Sequence, residues 1–119
     1  MTYVDGFVLA VPTDRRQEFV DMAMDGVSAF LARGATRAVE CWGDDVPDGT
    51  RTDFRRAVQA TDDETVVFAW VEWPDRETRD AAMEEMRADP DMQPGAKPMP
   101  FDTSRMIFGG FVPVVERAG

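Results

Sequence analysis

Residues 64–73 read Glu-Thr-Val-Val-Phe-Ala-Trp-Val-Glu-Trp, the most strand-like stretch of the chain. Side chains alternate between the two faces of a strand, so Phe68 and Trp70 fall on one face together with Val66. The opposite face receives an equally apolar set, Val67, Ala69, Val71 and Trp73. A strand that is apolar on both faces predicts a sheet that is covered on both sides.

The pattern on either side of this strand alternates between strands and helices. Strands are predicted at 3–11, 36–42, 54–60, 64–73 and 105–115. Two helices fit between them, which gives the order β-α-β-(β)-β-α-β of a ferredoxin-like α+β fold with two helices on one face of an antiparallel sheet. Since two helices cover only one face, we expect the sheet of a second copy on the other, as in a dimeric α+β barrel. The length of 119 residues fits a single domain spanning 1–119.

Capping residues set the limits of both helices. Thr13 is predicted as the N-cap of the first helix, and Gly34 as its left-handed C-terminal residue. Asp75 is predicted as the N-cap of the second helix, which ends at Asp89-Pro90. In the last strand, Gly109-Gly110 predicts a bulge or a close backbone contact, and the proline that follows indicates an edge position.

Charge and composition exclude several functions. The net charge is −10, with basic residues scattered along the chain, so neither nucleic acid nor an anionic membrane is an expected partner. The chain has no histidine, which excludes Ser-His-Asp and Cys-His catalysis and His-ligated metals, and no metal or cofactor is expected. A single cysteine, no signal-peptide pattern and no long apolar run predict a soluble cytoplasmic protein.

Residues 40–47, Glu-Cys-Trp-Gly-Asp-Asp-Val-Pro, place an acid, a thiol and an indole at the end of a strand. Glu40 and Trp42 share one face, where an aromatic wall would raise the carboxyl pKa and make Glu40 a general acid or base. The alternative is a solvent-facing or salt-bridged glutamate. Cys41 points to the other face and, without an activating partner, is expected to be a small buried hydrophobe. The aspartates at 44, 45 and 48 are typical of turns rather than of a calcium or magnesium site.

Asp5 lies inside an apolar strand and is the second catalytic candidate. A desolvated aspartate has a raised pKa and serves as a general acid or base. The alternative is a structural ion pair, for example with Arg105 on the last strand. Aromatic and cationic side chains near these acids are the predicted substrate-binding residues: Tyr3, Trp42, Arg55, Trp70 and Arg105. The loop 91–101 is predicted to be a stiff pocket wall or a contact with the partner subunit.

Four stretches resemble the uncharacterised bacterial family known as domain of unknown function 1428 (YbaA-like). They are 3–7 (Tyr-Val-Asp-Gly-Phe), 40–47, 62–68 (Asp-Asp-Glu-Thr-Val-Val-Phe) and 99–111, which contains Met-Pro-Phe-Asp and Arg-Met-Ile-Phe-Gly-Gly-Phe. The resemblance implies the dimeric α+β barrel superfamily and no particular activity. Other members of that superfamily include cofactor-free monooxygenases, dehydratases, isomerases and haem enzymes, and the haem branch relies on a histidine that this chain lacks.

Two functions fit these residues. The first is a cofactor-free enzyme or binder of a small, partly apolar metabolite, in which Asp5 or Glu40 moves a proton during isomerisation or dehydration. The alternative is a non-enzymatic binding or stress-related accessory dimer, whose polar residues only hold the dimer together. Substitutions Asp5→Asn and Glu40→Gln should abolish turnover in the first case and lower only the stability in the second.

Overall fold

A computed structural model describes residues 1–92 and 97–119 of the chain. Its four strands are β1 (Tyr3–Pro12), β2 (Arg37–Trp42), β3 (Glu64–Trp73) and β4 (Ile107–Phe111), and its helices are α1 (Arg16–Ala32), α2 (Phe54–Ala57) and α3 (Arg76–Ala88). The strands form one antiparallel sheet in the order β2-β3-β1-β4. This topology confirms the predicted ferredoxin-like α+β fold.

The core lies between the sheet and the two long helices. Register pairs Tyr3 with Trp73 and Leu9 with Val67, so these side chains share the face that the helices cover. α1 contributes Phe19 and Ala23 to this core, and α3 contributes Ala82. Trp73 is fully buried, and Phe30 of α1 packs edge-on against its ring at 6.0 Å.

The opposite side of the sheet, which we call the outer face, is covered at one end only. There Val58 packs on Ala10 and Val66. Beyond that point Phe68, Ile107 and Phe111 are exposed by 43%, 46% and 59% in the described residues. Both faces of β3 are therefore apolar as predicted, and one remains open to solvent in the single chain.

Local capping chemistry explains which helix limits agree with the sequence. Asp75 accepts a hydrogen bond from the Thr78 N–H at 2.7 Å, which confirms it as the N-cap of α3. Gly34 has a φ of 107° and ends α1 as predicted, with its N–H bonded to the Leu31 carbonyl. The prediction for Thr13 is wrong, because a 3₁₀ turn at Thr13–Arg15 precedes α1 and the Thr13 hydroxyl bonds Thr65 instead.

Two predicted strands differ from the structure. Residues 54–60 form no strand, because Asp53 accepts the Arg56 N–H at 2.7 Å and so starts the short helix α2. The last strand is shorter than 105–115, because Asp102 caps a 3₁₀ turn at Thr103–Arg105. Gly110 makes the predicted close contact: a Cβ atom there would lie 2.2 Å from the Tyr3 hydroxyl.

The predicted 91–101 loop includes residues 93–96, which lie outside the described residues. Of its described part, Phe101 packs edge-on against Phe19 at 6.1 Å, so this end of the loop adds to the core under α1. None of the helices within 1–92 and 97–119 is long and apolar enough to cross a membrane.

Candidate functional site

A cavity of about 360 Å³ lies between α1 and β2, and we call it the α1–β2 cavity. Its lining is mainly apolar: Arg16, Phe19, Val20, Ala23, Met24, Val27, Ser28, Glu40 and Trp42. The strand β2 is at the edge of the sheet, and α1 packs against it. Such a cavity suits a small organic ligand with a large apolar part.

Strand alternation places Glu40 in this cavity. Glu40 pairs with Ala69 and Trp42 pairs with Val67, and both partners lie on the face that the helices cover. The prediction that Glu40 and Trp42 share a face is therefore confirmed. The methyl group of Ala69 is small, which leaves space beside the Glu40 side chain.

The Glu40 carboxyl has no hydrogen-bond or salt-bridge partner in the described part of the chain. Glu40 is exposed and lies at the cavity mouth, as its solvent-facing alternative predicted, with the mainly apolar lining of the cavity on one side of it. Desolvation raises the pKa of Glu40 from 4.5 to about 7. Near neutral pH the group is therefore present in both protonation states, as a general acid or base requires.

Trp42 forms one wall of the cavity. Its ring centroid is 6.2 Å from that of Phe19, and the guanidinium carbon of Arg16 lies 5.4 Å from the Trp42 ring centroid. This distance is typical of a cation–π contact. The cavity thus combines a carboxyl, a guanidinium and an aromatic wall.

Asp5 lies elsewhere, on the same sheet face but under α3. Its carboxylate accepts hydrogen bonds from Trp73 Nε1 at 2.9 Å and from Arg79 at 2.8 and 3.1 Å. The predicted pairing with Arg105 is wrong, because Arg79 on α3 faces β1 directly. Tyr3 packs beside the same pair, with its ring centroid 5.2 Å from the Arg79 guanidinium. This arrangement favours the structural alternative for Asp5, which the sequence left open.

Arg105 and Arg55 belong to a third cluster, at the opposite end of the sheet. Arg105 forms a bidentate salt bridge with the buried carboxylate of Glu64, in which both N–O distances are 2.7 Å. The guanidinium lowers the pKa of the Glu64 carboxyl to about 2. Arg55 donates to the backbone carbonyls of Thr61 and Glu64 at 2.7 and 3.1 Å. These bonds occupy both guanidinium groups, and neither arginine lines the α1–β2 cavity.

The outer face carries the remaining predicted residues. Trp70 donates to Glu72 at 2.9 Å and lies beside Phe68, with a centroid distance of 5.8 Å. Cys41 is opposite Phe68 in the register and is partly buried. Of the seven predicted site residues, only Glu40 and Trp42 are brought together in a cavity.

The structure adds residues that the sequence analysis did not single out, above all Arg16 and Met24 of α1. The signal was the spacing of Arg16, Val20 and Met24, which places them on one helical face. Within 1–92 and 97–119, Asp, Glu and Cys side chains form no group of three or more that could hold a metal.

Comparison with known proteins gives a family and a fold. The family model described as "Protein of unknown function (DUF1428)" matches residues 2–103. The uncharacterized protein YbaA of Escherichia coli strain K12 is 51% identical over 116 residues, which cover 98% of this chain and 99% of that protein. YbaA of Shigella flexneri matches with the same identity and coverage.

Among solved structures, the chain is similar to a dimeric ferredoxin-like protein from an uncultured marine organism, with a TM-score of 0.61. The match covers 98% of both chains at 11% sequence identity. At this identity the likeness shows the ferredoxin-like fold alone.

Proposed function

The chain belongs to the DUF1428 family, and from that premise we propose that it binds a small, largely apolar carbonyl compound in the α1–β2 cavity, where Glu40 exchanges a proton with the ligand. The observation that carries the proposal is Glu40 itself. It is an exposed carboxyl at the mouth of a mainly apolar cavity, without a protein partner among residues 1–92 and 97–119, and with a pKa of about 7. A base of this pKa suits proton transfer next to a carbonyl group at neutral pH.

Asp5 has no comparable role in this proposal. Its oxygens accept bonds from Arg79 and Trp73, and the carboxylate is 3% exposed. Both of its oxygens are therefore already occupied by protein donors. Asp5, Tyr3, Arg55 and Arg105 are therefore assigned to stability, and Trp42 to the cavity wall.

The proposal is tested by proton exchange. Acetophenone and cyclohexanone are incubated with the protein in D₂O near neutral pH, and loss of the α-proton signal is followed by NMR. The wild type should accelerate exchange over buffer, and Glu40→Gln should reduce it to the buffer rate. Glu77→Gln is the matched control, because Glu77 is an exposed glutamate of α3 outside the α1–β2 cavity.

Equal exchange by the wild type and Glu40→Gln would contradict the proposal. Binding of either ketone without acceleration of exchange would favour the alternative, a non-enzymatic binding or accessory protein. Binding is measured separately through quenching of Trp42 fluorescence, with Trp42→Phe as the reference for the other tryptophans.

The outer face supports a homodimer as the working form. Phe68, Ile107 and Phe111 form an exposed apolar surface that a second sheet would cover, giving a dimeric α+β barrel. The similar marine protein is described as dimeric. The single cysteine supports the expected cytoplasmic location.

A further inference from the structure

Arg16 occupies an unfavourable electrostatic position for an arginine. It is the first residue of α1, and the N-terminus of a helix carries partial positive charge. The neighbouring Arg15 is compensated by Glu18, whose carboxylate lies 2.6 Å from its guanidinium. Arg16 is exposed, and it has no salt bridge and no side-chain hydrogen bond within 1–92 and 97–119, although the chain has 23 acidic residues against 13 basic ones.

The contact with Trp42 fixes where this charge lies. The guanidinium is 5.4 Å from the ring centroid of Trp42, at the edge of the α1–β2 cavity. Stacking uses the flat face of a guanidinium, whereas its N–H donors lie in the plane of the group. Arg16 is exposed and its N–H donors have no protein acceptor within 1–92 and 97–119, so a ligand in the cavity competes only with water for them.

Glu40 is the other charged group of the cavity, and it does not neutralise Arg16. The two side chains form neither a salt bridge nor a hydrogen bond, and desolvation alone accounts for the raised pKa of Glu40. Arg16 is the only charged residue that α1 contributes to the lining. The residues beside Glu40 on the same sheet face, Ala38, Trp42 and Ala69, carry no charge.

We propose that the α1–β2 cavity binds a small monocarboxylate with an apolar body, whose carboxylate is held by Arg16 while Glu40 takes up a proton. This inference rests on the proposed function and names the class of ligand for the same cavity. A bidentate pair between an arginine and a carboxylate is a strong interaction, because both of its hydrogen bonds are charge-assisted. A ligand anion close to Glu40 disfavours the ionised glutamate, so binding should take up a proton from the buffer.

The test compares acids with their neutral amides. Phenylacetate, cinnamate and hexanoate are titrated by calorimetry against the wild type, each beside its amide. Each acid should bind about tenfold or more tightly than its amide, a difference of about 1.4 kcal/mol. Arg16→Gln should remove this preference, whereas the neighbouring Arg15→Gln, outside the cavity lining, should keep it.

Proton uptake gives a second readout. At about pH 7.5, the apparent binding enthalpy of an acid should differ between phosphate and Tris buffers, and Glu40→Gln should abolish that difference. Circular dichroism establishes that the variants are folded, and Arg16→Lys, which keeps the charge, should restore part of the preference.

The outcomes separate the inference from the proposed function. Amides that bind the wild type as tightly as the acids would overturn the ligand class and leave the proposed function standing. A preference for acids that persists in Arg16→Gln would overturn the role of Arg16. If neither acids nor amides bind at millimolar concentrations, the inference fails, and the ketone exchange experiment alone decides the proposed function.

Discussion

At the scale of single residues, a carboxyl group without a partner costs stability. Glu40 keeps its proton in the folded protein up to about pH 7, whereas the unfolded chain releases it near pH 4.5. The unfolded state is therefore favoured increasingly as the pH rises from about 4.5 to 7, and the cost remains above that window. Glu40 is suited to proton transfer for the same reason that it weakens the fold.

Glu40→Gln should therefore stabilise the protein more at about pH 8 than at about pH 5. Solvent at the cavity mouth screens the charge, so the gain should be at most about 1 kcal/mol in the free energy of unfolding. Urea unfolding at both pH values measures it, with Glu77→Gln as the control. A gain that does not change with pH would contradict the raised pKa of Glu40.

Arg105 illustrates the opposite case, a charge whose partner is buried. Replacing it by methionine leaves the Glu64 carboxylate, which is 7% exposed, without its cation. We expect a loss in the free energy of unfolding at neutral pH, because a buried carboxylate without its cation is unfavourable. Arg51→Met, an exposed arginine on the loop before α2, is the control.

The pH dependence of this loss follows from the lowered pKa of Glu64. The ion pair stabilises the fold fully above about pH 4.5, and this contribution disappears as the pH falls to about 2. The difference between the wild type and Arg105→Met should shrink across the same window in chemical unfolding experiments. A constant difference down to pH 2 would argue against the Glu64 partner.

At the scale of elements, β4 is held close to β1 by a glycine. A Cβ atom at Gly110 would lie 2.2 Å from the Tyr3 hydroxyl, so Gly110→Ala must displace the ring or the strand. We expect a loss of about 1–3 kcal/mol in the free energy of unfolding. The matched control is Gly26→Ala in α1, where a Cβ meets no atom within 4 Å and should stabilise the helix by about 0.5–1 kcal/mol. Equal effects at the two positions would rule out the close contact.

The elements also show what the sequence can and cannot predict. Asp75 and Gly34 act on backbone groups a few residues away, so their helix limits follow from local sequence. Asp53 uses the same local chemistry to start α2, but its short helix lies in a stretch whose composition also suits a strand. The apolar residues on both faces of β3 were sufficient to predict a sheet that is covered on both sides, because the alternation of side chains can be read from a single strand.

Partners that are distant in sequence were not predictable in this way. Asp5 pairs with Arg79, and Arg105 pairs with Glu64. The members of each pair are far apart in the sequence and meet only because α3 and the last loop pack against the sheet. The sequence predicted one side of the α1–β2 cavity, because the alternation of side chains in β2 places Glu40 and Trp42 on the same face. Arg16 follows only from the position of α1 over β2.

At the scale of the whole molecule, the outer face sets the expected assembly. Phe68→Glu should convert a homodimer into a folded monomer, because it places a charge at the centre of the proposed interface. Sedimentation velocity measures the mass, and circular dichroism the fold. Leu31→Glu is the control, since Leu31 is exposed to a similar extent, 46% against 43% for Phe68, but lies at the end of α1. A dimeric Phe68→Glu variant would place the interface elsewhere.

The strand order has a consequence for how the chain comes to be folded. β1 is synthesised first and lies inside the sheet, yet its neighbours are β3 and β4, and β4 emerges last. Pairing such as that of Val4 with Phe111 joins segments that are more than one hundred residues apart in the sequence, so it must wait until β4 has been made. Contacts between distant segments slow folding and leave apolar strands open in the meantime. A nascent chain that ends before β4 would therefore present β1 with one edge unpaired.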